Sequence, residues 1–159
     1  MQRVLFVCLG NICRSPMAEM MFKQIVAQHH LQADIAVDSV ATCNYEAGNP
    51  MHLGALKELK KQGIPCTPHA ARKITAADFE AEDWIIGMDF QNISTLKRLA
   101  PDATCQAKVH LAAEVLPDNQ TFEIQDPWYT NDFDQTYTEL AKILPLWLTR
   151  ITSSDMVAE

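Results

Sequence analysis

The sequence predicts an α/β protein in which a parallel sheet is covered by helices on both faces. Two short, continuously apolar segments, VLFV at residues 4–7 and WIIGM at residues 84–88, have the length and composition of strands that are buried on both sides. Segments with helical periodicity separate such strands, and this alternation is typical of a parallel sheet. The 159 residues suit one domain, and no Gly-, Ser- or Pro-rich linker divides them.

The predicted elements follow one another without an internal repeat. The first half of the chain holds a strand at 3–7, a helix at 16–30, a strand at 35–39, a helix at 50–62 and an extended piece near Pro65. The second half holds a short helix at 76–80, a strand at 84–88, a helix at 90–99, a strand at 107–111 and an amphipathic helix at 132–152. We expect one domain over residues 1–152 and a flexible tail over residues 153–159.

The charge balance argues against polyanionic partners. The formal net charge is −7 and the pI is about 5.1, so neither nucleic acid nor an anionic membrane surface is expected to bind. The apolar run at residues 4–9 is shorter than the core of a secretory signal, and no apolar stretch of about 18 residues occurs. We expect a cytoplasmic protein in which any anion site is built locally.

The cysteines indicate reactivity rather than a scaffold. There are five, at positions 8, 13, 43, 66 and 105, and an odd number at irregular spacing disfavours a disulfide framework. Cys8 and Cys13 are the one close pair, and no second pair or nearby histidine completes a zinc site. We therefore expect neither a metal nor another cofactor.

The segment CLGNICRS, which contains that pair, follows the first predicted strand. Open α/β sheets bind ligands at this carboxyl edge. Gly10 can take a positive φ and Asn11 tolerates the left-handed region, so we expect a tightly curled loop. Pro16 suits the first position of the following helix. Backbone N–H groups would then surround a hollow at the positive end of a helix dipole, which suits a tetrahedral anion.

Cys8, Arg14 and Ser15 place a nucleophile in this hollow. A helix N-terminus and nearby cations favour the thiolate, which is the reactive form of cysteine. Arg14 can bind two oxygens of an anion with its planar guanidinium, and Ser15 can donate to the sulfur. The alternative is that Cys8 is a buried residue at the end of a strand and Arg14 a surface residue. The Cys-x5-Arg-Ser spacing between strand and helix favours the catalytic interpretation.

The segment VLFVCLGNICRSPMAE closely resembles the active-site signature of the low-molecular-weight protein tyrosine phosphatases. The resemblance continues through DSVATCNYEAGNP, HAARKITAADF, MDFQN and DPWYTND, in the same order and at similar spacing, to about Ile151. It implies a single-domain three-layer sandwich with a four-stranded parallel sheet. It also implies catalysis without a metal, in which Cys8 attacks phosphorus and a phosphocysteine is then hydrolysed by water.

The resemblance implies a role for each of several further residues. Arg14 and the loop would hold the equatorial oxygens of phosphate, the loop positions being Leu9, Gly10, Asn11, Ile12, Cys13 and Ser15. Asp126 of DPWY would be the general acid that protonates the leaving group, although Asp-Pro is also a common turn dipeptide.

Three aromatic residues would line the pocket mouth: Tyr45, Trp128 and Tyr129. Ser39 and His69 would support the loop together with Asn11 and Ser15, and Asp89 and Arg72 would be structural. Cys13 would be a redox partner that forms a reversible disulfide with Cys8, the alternative being small-residue packing under the loop.

The chain also departs from the family pattern. Met51, His52, Leu53 and Gly54 stand where the family commonly carries an acidic residue and an arginine, and Thr130 replaces a frequent glycine. These departures make the anchoring of the loop that holds Tyr45 an open question, and Thr130 is expected to stiffen the loop that carries Asp126.

Two other functions remain open at this stage. A thioredoxin-coupled arsenate reductase shares the fold, but needs two further cysteines close together, and Cys43, Cys66 and Cys105 are isolated. A non-catalytic phospho-ligand-binding or redox-sensing module would not need Cys8, Arg14 and Asp126 together. The expected partner is a phosphotyrosine-containing protein or a small aryl phosphate, and exposed aromatic residues near the pocket could support a weak homodimer.

Overall fold

Four parallel strands form the centre of the molecule. The structure, a computed structural model, describes residues 1–117 and 122–158, with side chains described up to residue 154. The strands are β1 (Gln2–Cys8), β2 (Ile35–Ala41), β3 (Trp84–Gly87) and β4 (Val109–Leu111), in the spatial order β2-β1-β3-β4. Each neighbouring pair is parallel. The predicted α/β class with a four-stranded parallel sheet is confirmed.

Helices connect the strands and cover both faces of the sheet. They are α1 (Arg14–Gln28), α2 (Leu53–Lys61), α3 (Ala76–Ala81), α4 (Phe90–Leu99), α5 (Ala103–Gln106), α6 (Pro127–Thr130) and α7 (Phe133–Ala158), with a 3-10 turn at Ala112–Val115. Helix α4 has the bounds that were predicted for it, residues 90–99. Helices α5 and α6 and the 3-10 turn were not predicted, because each has four residues, too few to show a period.

The predicted start of α1 and the predicted end of α7 were wrong. Helix α1 begins at Arg14, so Pro16 is its third residue and not its first. Helix α7 continues to Ala158, past the predicted end at residue 152. Glu159 lies outside the described residues, as do the side chains from residue 155 onward, and a flexible tail over 153–159 stays a prediction. Over residues 1–117 and 122–158, no helix is both long and apolar enough to cross a membrane.

The side chains of β1 alternate between two hydrophobic clusters, as expected for a strand buried on both faces. Val4, Phe6 and Cys8 face the larger cluster, which α1, α2 and α7 complete. Leu5 and Val7 face the smaller cluster, which α3, α4 and α5 complete. Cys8 is thus the last of five consecutive buried residues of β1, and its position is fixed by packing.

The order of the strands determines where a ligand can bind. Strand β2 lies on one side of β1 and strand β3 on the other, so the chain reverses its direction of travel across the sheet at β1. Val7 is paired with Gly87, which brings the carboxyl ends of β1 and β3 together. Open α/β sheets bind ligands in the crevice at such a switch point. The loop after Cys8 lies there.

A buried carboxyl lies at the opposite end of β3. Glu82 is 4% exposed. Its Oε1 lies 3.6 Å from Arg3 Nη2, and its Oε2 has no hydrogen-bond partner within the described part of the chain. Burial raises the pKa of Glu82 from 4.5 to about 7, against the opposing effect of Arg3. The ionised carboxylate is therefore a destabilising feature of the native protein at neutral pH.

Replacing Glu82 should remove a pH dependence of stability. The native chain binds this proton more tightly than the unfolded chain, so the free energy of unfolding falls as the pH rises from about 4.5 to about 7, and stays lowered above that. We expect Glu82→Gln to stabilise the protein by on the order of 1 kcal/mol or more at about pH 8, and to have little effect at about pH 5. Urea denaturation at both pH values measures this, with the exposed Glu80→Gln as control; equal responses of the two variants would contradict the prediction.

Candidate active site

The loop between β1 and α1 surrounds the sulfur of Cys8 with hydrogen-bond donors. The backbone N–H groups of Asn11 and Ser15 donate to Cys8 Sγ at 3.3 and 3.4 Å. Ser15 Oγ lies 3.0 Å from the same sulfur. Ser15 is the second residue of α1, so its N–H group is among those at the positive end of the helix dipole. The sulfur therefore lies at the centre of a ring of polar groups at the carboxyl end of β1.

Of the two residues expected to allow the tight curl of the loop, Asn11 takes the positive φ and Gly10 does not. Asn11 has a φ of 60°, whereas Gly10 is outside the left-handed region. The fully buried Asn11 side chain makes this conformation favourable: its Nδ2 donates to Ser15 Oγ at 2.8 Å and to Ser39 Oγ at 3.0 Å. Its Oδ1 accepts from the N–H of Arg72 at 3.3 Å. The expectation that Asn11 tolerates the left-handed region fits this geometry.

A second layer of polar groups lies behind the loop. His69 Nε2 lies 2.7 Å from the carbonyl oxygen of Asn11. Ser39 Oγ donates to Glu19 Oε1 at 2.6 Å, and His69 Nδ1 lies 3.9 Å from the same oxygen. Glu19 is 4% exposed and pairs with Lys23. Glu19 was not predicted as part of the site, because a glutamate four residues before a lysine is the pattern of an exposed helix surface.

Arg14 is held in a fixed orientation by groups that are distant in the sequence. Its Nη1 lies 2.9 Å from Asp89 Oδ2 and donates to the carbonyl oxygen of Ile124 at 2.9 Å. Its Nη2 lies 3.4 Å from Asp126 Oδ2. Burial opposes the charge of Arg14, but the negative charges of Cys8, Asp126 and Asp89 raise the pKa of the guanidinium above its usual value. Arg14 is therefore a permanent positive charge in the pocket.

Asp126 caps the short helix α6 at the mouth of the pocket. Its Oδ1 accepts from the N–H of Trp128 at 3.0 Å, and its side chain is 23% exposed. Thr130 Oγ1 lies 3.5 Å from the carbonyl oxygen of Asp126 and accepts from the N–H of Asp132 at 3.1 Å. The hydroxyl of Thr130, where the family often has glycine, thus adds hydrogen bonds within this loop.

One pocket brings most of the predicted residues together. Three exposed aromatic residues stand at its rim: Tyr45 (83% exposed), Trp128 (57%) and Tyr129 (77%). The other predicted residues that line it are Cys8, Leu9, Gly10, Asn11, Ile12, Cys13, Arg14 and Asp126. Ser15, Ser39 and His69 do not line the pocket and lie behind the loop. Cys43 and Glu46 also line it, and the sequence analysis missed both because no local pattern marks them.

Cys13 is the residue before α1 and is 4% exposed. Burial, with the charges of Cys8 and Asp126 adding to it, raises the pKa of the Cys13 thiol from 9 to about 12. At neutral pH Cys13 is therefore a neutral thiol in the pocket wall. All five cysteines are unpaired in this structure. Over residues 1–117 and 122–154, whose side chains the structure describes, no group of three His, Cys, Asp or Glu side chains is placed to hold a metal ion.

The comparisons with known proteins identify a family for this fold and site. A sequence model described as low molecular weight phosphotyrosine protein phosphatase matches residues 3–156. A human protein named low molecular weight phosphotyrosine protein phosphatase is 45% identical over 132 residues, which cover 82% of this chain and 82% of that protein.

Solved structures are similar along almost the whole chain. YfkJ from Bacillus subtilis gives a TM-score of 0.92 at 33% identity, over 97% of this chain and 96% of that one. SP-PTP, a low molecular weight protein tyrosine phosphatase from Streptococcus pyogenes, gives a TM-score of 0.86 at 39% identity, over 100% of this chain and 99% of that one. The chain belongs to the low molecular weight phosphotyrosine protein phosphatase family.

Proposed function

We propose that this protein hydrolyses phosphotyrosine and other aryl phosphomonoesters through a phosphocysteine on Cys8, without a metal ion. The observation that carries the proposal is the surroundings of Cys8 Sγ: two backbone N–H groups donate to the sulfur at 3.3 and 3.4 Å, the Ser15 hydroxyl lies 3.0 Å from it, and Arg14 lies in the same pocket. A sulfur held in this way is a nucleophile at the base of a site that favours anions. Membership of the phosphatase family supports the same chemistry.

The first step transfers the phosphoryl group to the enzyme. The Cys8 thiolate attacks phosphorus in line, so an S–P bond forms while the bond from phosphorus to the aryl oxygen breaks. The protonated carboxyl of Asp126 gives its proton to the leaving oxygen, which departs as a neutral phenol. Asp126 suits this role because it lies at the pocket mouth, on the side from which a leaving group departs.

The second step regenerates the enzyme. A water molecule attacks phosphorus, the carboxylate of Asp126 accepts the proton of that water, and the S–P bond breaks to release inorganic phosphate and the thiolate. Arg14 and the N–H groups of the loop hold the equatorial oxygens in both steps. Ser15 stabilises the leaving thiolate through its Oγ, 3.0 Å from the sulfur.

The pocket rim supports an aryl substrate. Tyr45, Trp128 and Tyr129 are exposed around the opening and can pack against an aromatic ring of the substrate. A bound phosphotyrosine would place its phosphate among the N–H groups and its ring against this rim. Weak self-association through the same residues stays a prediction. We place the protein in the cytoplasm, because its five unpaired cysteines suit a reducing compartment.

The structure offers little support for the arsenate reductase alternative. Cys105 is buried in the hydrophobic cluster on the other face of the sheet, and Cys66 is an exposed residue after α2. A relay of disulfides to the surface needs two further cysteines close to each other. Cys43 lines the pocket, but Cys66 and Cys105 do not.

Turnover of p-nitrophenyl phosphate in the presence of a chelator tests the nucleophile. We expect the parent protein to be active at mildly acidic pH, and Cys8→Ser to lose at least about 10³-fold in kcat, because a serine hydroxyl is not ionised at this pH. Equal turnover by the two proteins, or loss of the parent's activity on addition of chelator, would contradict the proposal.

Substitution of the general acid should depend on the leaving group. We expect Asp126→Asn to lower kcat/KM for phenyl phosphate by about 10²-fold or more, and to lower it much less for p-nitrophenyl phosphate, whose leaving group needs less protonation. The control is Asp134→Asn, which removes an exposed carboxylate of α7. Equal losses on both substrates would show that Asp126 is not the acid.

We also propose that Cys13 protects Cys8 from irreversible oxidation. Both residues line the pocket, and Cys13 lies at the end of the loop that begins at Cys8. Hydrogen peroxide oxidises the Cys8 thiolate to a sulfenic acid, with water as product. The sulfur of Cys13 then attacks the sulfur of Cys8, and the hydroxyl leaves as water with the proton of Cys13.

Recovery after peroxide treatment tests this role. We expect dithiothreitol to restore most of the activity of the parent and little of the activity of Cys13→Ser, because an unprotected sulfenic acid is oxidised further to sulfinic acid. The exposed Cys66→Ser is the control. If Cys43→Ser loses recovery and Cys13→Ser does not, the partner of Cys8 is Cys43 and the assignment of Cys13 is wrong.

A further inference from the structure

His52 connects three parts of the site, although it occupies one of the positions at which the chain departs from the family pattern. It precedes α2, and its Nδ1 accepts from the N–H of Gly54 at 2.9 Å, which caps this helix. Its own backbone N–H donates to the carbonyl oxygen of Ile12 at 2.8 Å. The backbone of His52 is therefore attached to the loop that surrounds Cys8.

The ring of His52 lies between two aromatic side chains. It stacks on Phe133, the first residue of α7, with ring centroids 5.1 Å apart and planes 27° apart. It meets Trp128 edge to face, at 5.9 Å and 86°. Aromatic pairs in these arrangements attract one another beyond the area that they bury. The ring thus joins the loop of Asp126 to the start of α7.

Gly54 makes room for this arrangement. A Cβ atom at position 54 would lie 2.3 Å from Cε2 of Phe133 and 2.5 Å from its Cζ. The ring of Phe133 therefore occupies the space that any other residue at position 54 would fill. The two departures from the family pattern thus act together. His52 supplies one ring, and Gly54 leaves the space for the ring of Phe133, which stacks on it.

We propose that His52 is a positioning residue for the general acid. The N–H of Trp128 donates to Asp126 Oδ1, so the residue that orients the carboxylate is also the residue whose side chain rests on His52. Because the backbone of His52 is bonded to Ile12, its ring fixes the loop of Asp126 relative to the loop of Cys8. This inference rests on the proposed function and concerns the placement of the acid, not the phosphate.

Two substitutions of His52 separate its ring from its cap. Asparagine keeps a side-chain oxygen that can cap α2 but removes the ring, whereas phenylalanine keeps a ring between Trp128 and Phe133 but removes the cap. Neither substitution removes the backbone bond to Ile12. The matched control is His30→Asn, in the exposed turn after the far end of α1, where the φ of 57° suits asparagine.

The leaving group distinguishes placement of the acid from disturbance of the site. We expect His52→Asn to lower kcat/KM for phenyl phosphate about 10-fold and for p-nitrophenyl phosphate less than about 3-fold, because a displaced acid matters most for the poorer leaving group. The inhibition constant of inorganic phosphate should stay within about 2-fold of the parent, since the N–H groups and Arg14 are unchanged. His52→Phe should retain the parent's rates despite a lower melting temperature.

Gly54→Ala provides a second, independent variant. It keeps His52 but displaces the ring of Phe133, and we expect the same dependence on the leaving group with a smaller loss. Circular dichroism shows whether each variant is folded. If His52→Asn does not fold, the kinetics of Gly54→Ala test the inference.

Three results would overturn the inference: rates of His52→Asn equal to those of His30→Asn, equal losses on both substrates, or a loss in His52→Phe as large as that in His52→Asn. Failure of the proposed function is a different result, in which the parent and Cys8→Ser do not differ on either substrate.

Discussion

The proposed reaction imposes one electrostatic constraint on the site: a thiolate and a phosphate dianion must lie in contact within a protein whose net charge is −7. The overall charge repels such a substrate, so the attraction has to come from groups within a few ångströms. Backbone N–H groups and Arg14 supply it, and the fold has already oriented them. Donors that are fixed before the substrate arrives need no reorganisation during the reaction, which makes them effective for catalysis.

The conformation that points these donors inward is maintained by buried polar contacts. Asn11 has a left-handed backbone, and its side chain is fully buried between Ser15, Ser39 and Arg72. Buried polar groups without partners are costly, so this set of contacts stabilises the loop only when all of them are made. The sheet contributes directly, because β2 pairs with β1 in a register that places Ser39 opposite Phe6, two residues before Cys8.

The parts of the site that are close in sequence could be predicted from the residues alone, whereas distant residues such as Asp126 and Tyr45 were predicted only through the family resemblance. Cys8, Arg14 and Ser15 lie within eight residues of one another, between a strand and a helix that their apolar patterns indicate. The groups that orient Arg14, which are Asp89 and the carbonyl oxygen of Ile124, come from distant segments and leave no local pattern. The positive φ fell on Asn11 and not on Gly10 because side-chain hydrogen bonds decided the turn, and these depend on tertiary contacts.

The most direct test of this account is to identify the residue that carries the phosphoryl group during turnover. The protein is mixed with p-nitrophenyl phosphate, quenched within one turnover, digested, and analysed by mass spectrometry. The account predicts that the peptide containing Cys8 gains the mass of one phosphoryl group on sulfur, and that Cys8→Ala does not. A phosphoryl group on a histidine, or burst-free turnover in which no peptide is modified and water attacks the substrate directly, would contradict it.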